Sequence, residues 1–263
     1  MPAPPELVTP TSPAEAAAAF GDGSDVTVMA GGTILLPELT HGRLRPARVL
    51  MLGRAGLSGV GNSNGVVRIG AGTPVADLQD APEPLATAAG HIADGEIRAV
   101  ATIGGNLCAT AGQAAPRGDL QAPLLALGAR VTSVGPGGEK TQDVEEFLED
   151  PSGRLVLSID VPGGQPSGYA RLDRPHTHHY TMLAVSAVRG GDDVRLAASG
   201  VGPRARRLAG AESALAAGAS AAEAAAHAAE GLELPTDALA SAWYREQVLP
   251  LLVERALGQL GGR

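Results

Sequence analysis

The chain of 263 residues has one cysteine, Cys108. A lone thiol excludes an internal disulfide and falls short of the roughly four thiolates that hold an iron–sulfur cluster, so any such cluster belongs on a partner. Cys108 itself reads as a small apolar filler. Contiguous basic runs are scarce as well. Lys and Arg total 20 against 28 Asp and Glu, a formal charge of −8, whereas a nucleic-acid surface needs basic side chains gathered on one face. The one dense stretch, Arg204-Ala205-Arg206-Arg207, reads as the solvated start of a helix. No apolar run approaches the about 20 residues of a membrane span. The opening Met1-Pro2-Ala3-Pro4-Pro5-Glu6 lacks the charged start and apolar core of a signal peptide, and a cytoplasmic protein is expected. The nucleotide fingerprints G-x-G-x-x-G and G-x-x-x-x-G-K-[ST] are also missing, which removes support for a Rossmann or P-loop site.

What the chain does have is two glycine motifs about seventy residues apart. Ala30-Gly31-Gly32-Thr33 follows the strand-like Val26-Thr27-Val28-Met29, and Thr102-Ile103-Gly104-Gly105-Asn106 follows Ile97-Arg98-Ala99-Val100-Ala101, also read as a strand. Paired glycines let the chain turn sharply and leave no side chain between its N–H groups and a ligand. Either pair alone is an ordinary tight turn. Together they fit a pyrophosphate gripped from both sides, with the hydroxyls of Thr33 and Thr102 and the amide of Asn106 close by.

Around these motifs, 44% apolar content supplies one large core or two modest ones. Residues 13–20 read as a helix with proline at its start, 34–40 as a second helix and 48–51 as a strand. Strands follow at 66–69, 129–134 and 155–162, with a helical turn at 74–78 and helices at 84–93 and 120–127. The linker candidate is Pro162-Gly163-Gly164-Gln165-Pro166-Ser167-Gly168, too rich in proline and glycine to continue a helix or strand. Beyond it, strand-like runs at 169–172, 180–188 and 194–199 predict a three-stranded antiparallel sheet with a hairpin at Gly190-Gly191-Asp192-Asp193. The rest is alanine-rich and helical, with Pro250 expected to kink the last helix or start a new one.

In order and spacing the two motifs, with Arg68-Ile69-Gly70-Ala71-Gly72-Thr73-Pro74, the 155–162 strand, Ala198-Ser199-Gly200-Val201-Gly202-Pro203-Arg204 and Ala242-Trp243-Tyr244-Arg245, resemble the FAD-binding medium subunit of molybdenum hydroxylases of the carbon monoxide dehydrogenase and xanthine dehydrogenase type. The resemblance covers nearly the whole chain. It implies an α+β fold: a two-subdomain FAD-binding domain of the PCMH type over 1–162, with subdomains about 1–55 and 56–162, then a C-terminal domain over 168–263 of a three-stranded antiparallel sheet with a helical bundle. It implies noncovalent FAD held by Met29, Ala30, Gly31, Gly32, Thr33, Ile34, Leu35, Ile92, Ala101, Thr102, Ile103, Gly104, Gly105, Asn106, Asp119, Val156 and Arg171. In the family the acid matching Asp119 accepts hydrogen bonds from the adenosine ribose, although aspartate after glycine also makes a good helix N-cap. A cation matching Arg171 lies near the flavin ring, where it favours the anionic reduced form; a solvated strand charge is the alternative.

By the same resemblance, a molybdenum-binding large subunit and an iron–sulfur small subunit carry the molybdenum cofactor and [2Fe-2S] clusters. This chain would take electrons onto FAD and hand them to an external acceptor, with no catalytic acid, base or nucleophile of its own. A stand-alone flavin oxidoreductase and a flavin-free assembly protein of the same fold are the rivals. Two further patterns carry little. His176, His178 and His179 are close in sequence, but neighbours on a strand face opposite ways and no metal site is expected. Gly61-Asn62-Ser63-Asn64-Gly65 matches the nucleophile pattern G-x-S-x-G, yet a strand follows where a helix is required, so a hairpin or loop turn is expected.

Overall fold

The computed structural model describes residues 4–109, 118–173 and 181–261. The chain opens with three short strands, β1 (Glu6–Val8), β2 (Thr27–Met29) and β3 (Arg48–Met51), paired in parallel in the order β1-β3-β2. Parallel neighbours need crossovers, which α1 (Pro13–Phe20) and α2 (Leu35–Thr40) provide. The Ser12 hydroxyl caps α1 by accepting from the Glu15 N–H at 3.2 Å, and Pro13 stands in the first turn, where no N–H is missed. Ala16 and Phe20, one turn apart, pack with Leu50, Leu52 and Leu155. Leu155 belongs to the next sheet, so this small layer is tied to it through side chains.

That second sheet is antiparallel throughout: β4 (Val60–Ser63), β5 (Val66–Gly70), β6 (Arg130–Gly135), β7 (Gly138–Asp143) and β8 (Leu155–Pro162), in the order β4-β5-β8-β6-β7. Asn64 and Gly65 both have positive φ, 52° and 79°, the requirement of a two-residue hairpin turn. The 61–65 pattern is therefore a β-hairpin. Helices α3 (Leu85–Gly90), α4 (Gly95–Val100), α5 (Ile103–Leu107), α6 (Gln121–Leu127) and α7 (Val144–Glu149) accompany this sheet, and every residue of α6 is buried.

The expected strand at 97–101 is helix α4 and the turn after it. Asp94 caps it, its carboxylate accepting from the Ile97 N–H at 2.8 Å; a five-residue apolar run has no period strong enough to outweigh such a cap. The second glycine pair is correspondingly not a loop. The Thr102 hydroxyl accepts from the Gly105 N–H at 3.1 Å, placing Gly104 and Gly105 in the first turn of α5.

The third sheet has four strands rather than three: β9 (Ser167–Asp173), β10 (Thr181–Gly190), β11 (Asp193–Ser199) and β12 (Arg206–Arg207), in the order β12-β11-β10-β9. The extra edge strand is the basic stretch expected to start a helix. Its Arg207 is held at 2.6 Å by Glu212 in α8 (Ala209–Ala216). Residues 181–188 of β10 are buried without alternation, because α6 lies against the sheet and α10 (Ala242–Gly258) also packs on it. Short α9 (Ala221–Ala226) sits beside α10, which runs through Pro250 as one helix of 17 residues. Leu183, Val185, Leu196 and Leu252 form the core under these helices, whereas Ala184, Val188 and Ala197 join Ile69, Leu124 and Ile159 of the second sheet's core. One apolar interior thus continues from the second sheet to the third. Among the described residues no helix is long and apolar enough to cross a membrane.

Candidate functional site

The end of β2 and the start of α5 face one another across a cleft of about 710 Å³. The small first layer supplies one wall. Gly32, at φ +74°, makes the left-handed turn out of β2 that L side chains rarely adopt, and its carbonyl accepts from the Leu36 N–H at 2.8 Å to begin α2. A Cβ on Gly31 would run into the carbonyl of Val100, so the first motif rests directly on the end of α4. The opposite wall is pinned from behind: Gly104 donates to the Ala71 carbonyl at 2.9 Å, and Ile103 to that of Thr73 at 3.0 Å. A Cβ on Gly104 would strike Ala71, whereas one on Gly105 meets only the Thr102 hydroxyl oxygen, at 3.0 Å. Gly31 and Gly104 therefore allow backbone to pack on backbone. Gly105 leaves the exposed face of the second motif bare.

A buried polar network fixes α5 against α6 and the C-terminal segment. Asn106 Oδ1 accepts from the Leu120 N–H at 2.9 Å. Gln121 Nε2 donates to the carbonyls of Leu107 and Ala109, each at 2.8 Å, while its Oε1 accepts from the Ala205 N–H at 3.0 Å. A half-paired amide in this position would cost roughly 1–3 kcal/mol, so the full set of bonds holds the cleft wall to the third sheet.

Of the residues expected from the sequence, 29–35, Ala101, Thr102, Gly104, Gly105, Asn106 and Val156 line this one cleft. Ile92 and Ile103 are core residues behind it, 7% and 0% exposed. Asp119 and Arg171 are not on the cleft lining; both act on Tyr169, whose hydroxyl burial pushes well above the ordinary phenol range, the Asp119 charge adding to the effect and Arg171 opposing it. Asp119 does not cap α6, which starts after Leu120, and Arg171 is ion-paired with Asp173. His91 stacks on Tyr169 with ring centroids 6.3 Å apart. Burial lowers the His91 pKa, and Arg171 lowers it further. His176, His178 and His179 lie outside the described residues.

Sequence reasoning missed other parts of the cleft. Cys108 is open to it rather than a filler; the protein around the cleft still desolvates the thiol and pushes it up to about 12, against a smaller opposing effect of Arg204. Arg154 comes from a segment with no motif to mark it, and Arg204 from the basic stretch read as a solvated helix start. Arg154 braces the wall: Nε donates to Ser133 Oγ at 2.8 Å and Nη2 to the carbonyls of Ser133 and Gly138 at 2.9 and 3.0 Å. The carboxylate on the lining, Glu38, receives two bonds from Arg43 at 2.7 and 2.9 Å. Bare main chain, hydroxyls and arginines in a space of this size suit a phosphate-bearing ligand with an apolar body.

Residues 4–164 match the family described as the FAD binding domain in molybdopterin dehydrogenase. The chain is 32% identical to the carbon monoxide dehydrogenase medium chain of Hydrogenophaga pseudoflava, across 98% of this chain and 97% of that one. It is also 32% identical to the alpha subunit of the 6-hydroxypseudooxynicotine dehydrogenase complex of Paenarthrobacter nicotinovorans, across 90% and 87%. Among solved structures, that of H. pseudoflava carbon monoxide dehydrogenase lacking the Mo-pyranopterin moiety of its cofactor superposes with a TM-score of 0.84 at 29% identity, covering 99% of this chain and 98% of that chain. With the family match spanning more than half the sequence and both glycine motifs inside it, the chain belongs to the FAD-binding domains of molybdopterin dehydrogenases.

Proposed function

We propose that the chain is the FAD-binding medium subunit of a molybdenum hydroxylase complex and passes electrons from an iron–sulfur partner through FAD to an external acceptor. The supporting observation is that both glycine motifs, with Val156, Arg154 and Arg204, line one cleft. FAD takes electrons singly and releases them as a pair, which suits a station between a cluster and a two-electron acceptor. The chain's part is to bind and orient. Residues 29–35 present main-chain N–H groups to the pyrophosphate, Gly105 leaves a face free of side chain for its approach, and Val156 and Leu35 flank the apolar body. Asp119 and Arg171, grouped around Tyr169, are assigned to the far end of the extended dinucleotide, with Ile92 and Ile103 packed behind.

In this reading residues 1–162 form the FAD-binding unit, 168–263 the C-terminal unit, and the complex works in the cytoplasm. The relatives named above are a medium chain and a complex subunit, which supports a large molybdenum-binding and a small iron–sulfur partner here. Denaturing the purified protein tests the cofactor: free FAD should enter the supernatant in a one-to-one ratio with the chain. Release of FMN, or no flavin after reconstitution, overturns the proposal.

A further inference from the structure

Arginines in this chain repeatedly grip a carboxylate side-on, through Nε and Nη2 together. Arg43 holds Glu38 this way, Arg68 holds Asp160 with both bonds at 2.7 Å, and Arg207 holds Glu212 with both at 2.6 Å. Arg204 is different. Its Nη1 donates to the Leu148 carbonyl at 2.9 Å and, more weakly, to that of Glu149 at 3.4 Å, which fixes the guanidinium against the end of α7. Its Nε is buried without an acceptor. Among the described residues, Nη2 has no hydrogen-bond partner and no carboxylate lies within ion-pair distance of Arg204.

The planar fork is therefore held in place with its bidentate edge unpaired, and a buried charged donor left so is costly. Arg204 borders two spaces. The smaller, about 350 Å³ and about half the volume of the other, is also lined by Glu145, Glu149, Arg206 and Arg207, and there Arg207 is already ion-paired with Glu145 and Glu212. The larger is the cleft of the glycine motifs, where Glu38 is already engaged by Arg43 and Arg154 already bonded to Ser133 and Gly138. We infer that Arg204 is an anion-binding residue of the cleft, its Nε–Nη2 edge taking a phosphate oxygen of the bound dinucleotide. The inference rests on the FAD reading and adds to it a cation from outside the matched residues 4–164. Arg204 thereby makes the C-terminal unit a direct participant in cofactor binding.

The test uses the full-length chain in the assembly in which it purifies, freed of flavin and titrated with FAD, ADP and adenosine. Arg204→Gln should weaken FAD and ADP by about tenfold or more, the scale of one charge-assisted bidentate contact, and leave adenosine within about twofold of wild type. Arg204→Lys should recover part of the loss for FAD and ADP, with a steeper dependence on salt. A merely structural role, through the bonds to Leu148 and Glu149, would weaken ADP and adenosine equally. That result, or a Gln variant binding FAD and ADP as wild type does, overturns the inference alone. A wild-type chain that takes up no FAD overturns the parent reading and the inference with it.

Discussion

Two glycines that look alike in sequence do different work at the site, and the difference can be measured. Gly105 is exposed and a Cβ there has one close neighbour, the Thr102 hydroxyl, whereas a Cβ on Gly31 collides with the rigid Val100 carbonyl. Gly105→Asp should thus fold normally and place a carboxylate where the proposed function puts phosphate oxygens, raising the Kd for FAD by about a hundredfold, or about 3 kcal/mol. Gly31→Ala should instead lower the melting temperature of the flavin-free chain, because overpacking against backbone costs on the order of 1–3 kcal/mol. Calorimetry of both apo variants alongside FAD titrations separates the two. A Gly105→Asp variant with wild-type FAD affinity would remove the second motif from the site. Nothing in the letters Gly-Gly distinguishes these roles, since each depends on what the fold brings up behind the residue.

Elements with strong local signals were legible: α1, β3 and β8 occupy the residues their capping, apolar runs and bounding turns predict. Short ones with weak signals were not. The 97–101 run reads equally as strand or helix until Asp94 is recognised as a cap, and β12 is two residues long, paired only because β11 presents an edge to Arg206 and Arg207. At the start of α10, the sequence shows only that Arg245 follows an aromatic pair. In the structure Arg245 is 1% exposed and forks onto Asp237 at 2.8 and 2.9 Å. Burial tends to raise the Asp237 pKa, but hydrogen bonds from Arg245 and from the Leu239 and Ala240 amides outweigh it and hold the carboxyl below its ordinary value. A folded pKa below the unfolded one means the stabilisation is complete above about 4 and is lost as pH falls through the lower, folded value. Asp237→Asn leaves a buried guanidinium without its counter-charge, a change on the order of 3–5 kcal/mol. Denaturant melts should show the variant less stable at pH 7, with the gap to wild type closing under strong acid; a gap constant from pH 7 to pH 2 would show that the carboxylate charge contributes nothing.

At the scale of the whole molecule, the cleft is assembled from segments that sequence reading treats separately. Residues 29–35 come from the parallel layer, Ala101 to Asn106 from the helices beside the second sheet, and Arg204 from the approach to β12. Gln121 joins the last two by bonding Leu107, Ala109 and Ala205 at once. The cleft thus draws on residues beyond the matched 4–164 as well as within them. Cys108 is its one cysteine, far short of a cluster's thiolates, and among the described residues no group of His, Cys, Asp and Glu could hold a metal ion. In the proposed function, electrons reach the cleft from another chain. Affinity purification of the tagged chain from its native cell should bring down a cysteine-rich subunit and a larger one, with iron and molybdenum measurable in the eluate. The isolated chain should retain FAD yet leave the organic substrate of the complex unreacted. If the isolated chain oxidised that substrate at the rate of the complex, it would be a stand-alone flavin oxidoreductase, and the partners would have no part in delivering electrons to the cleft.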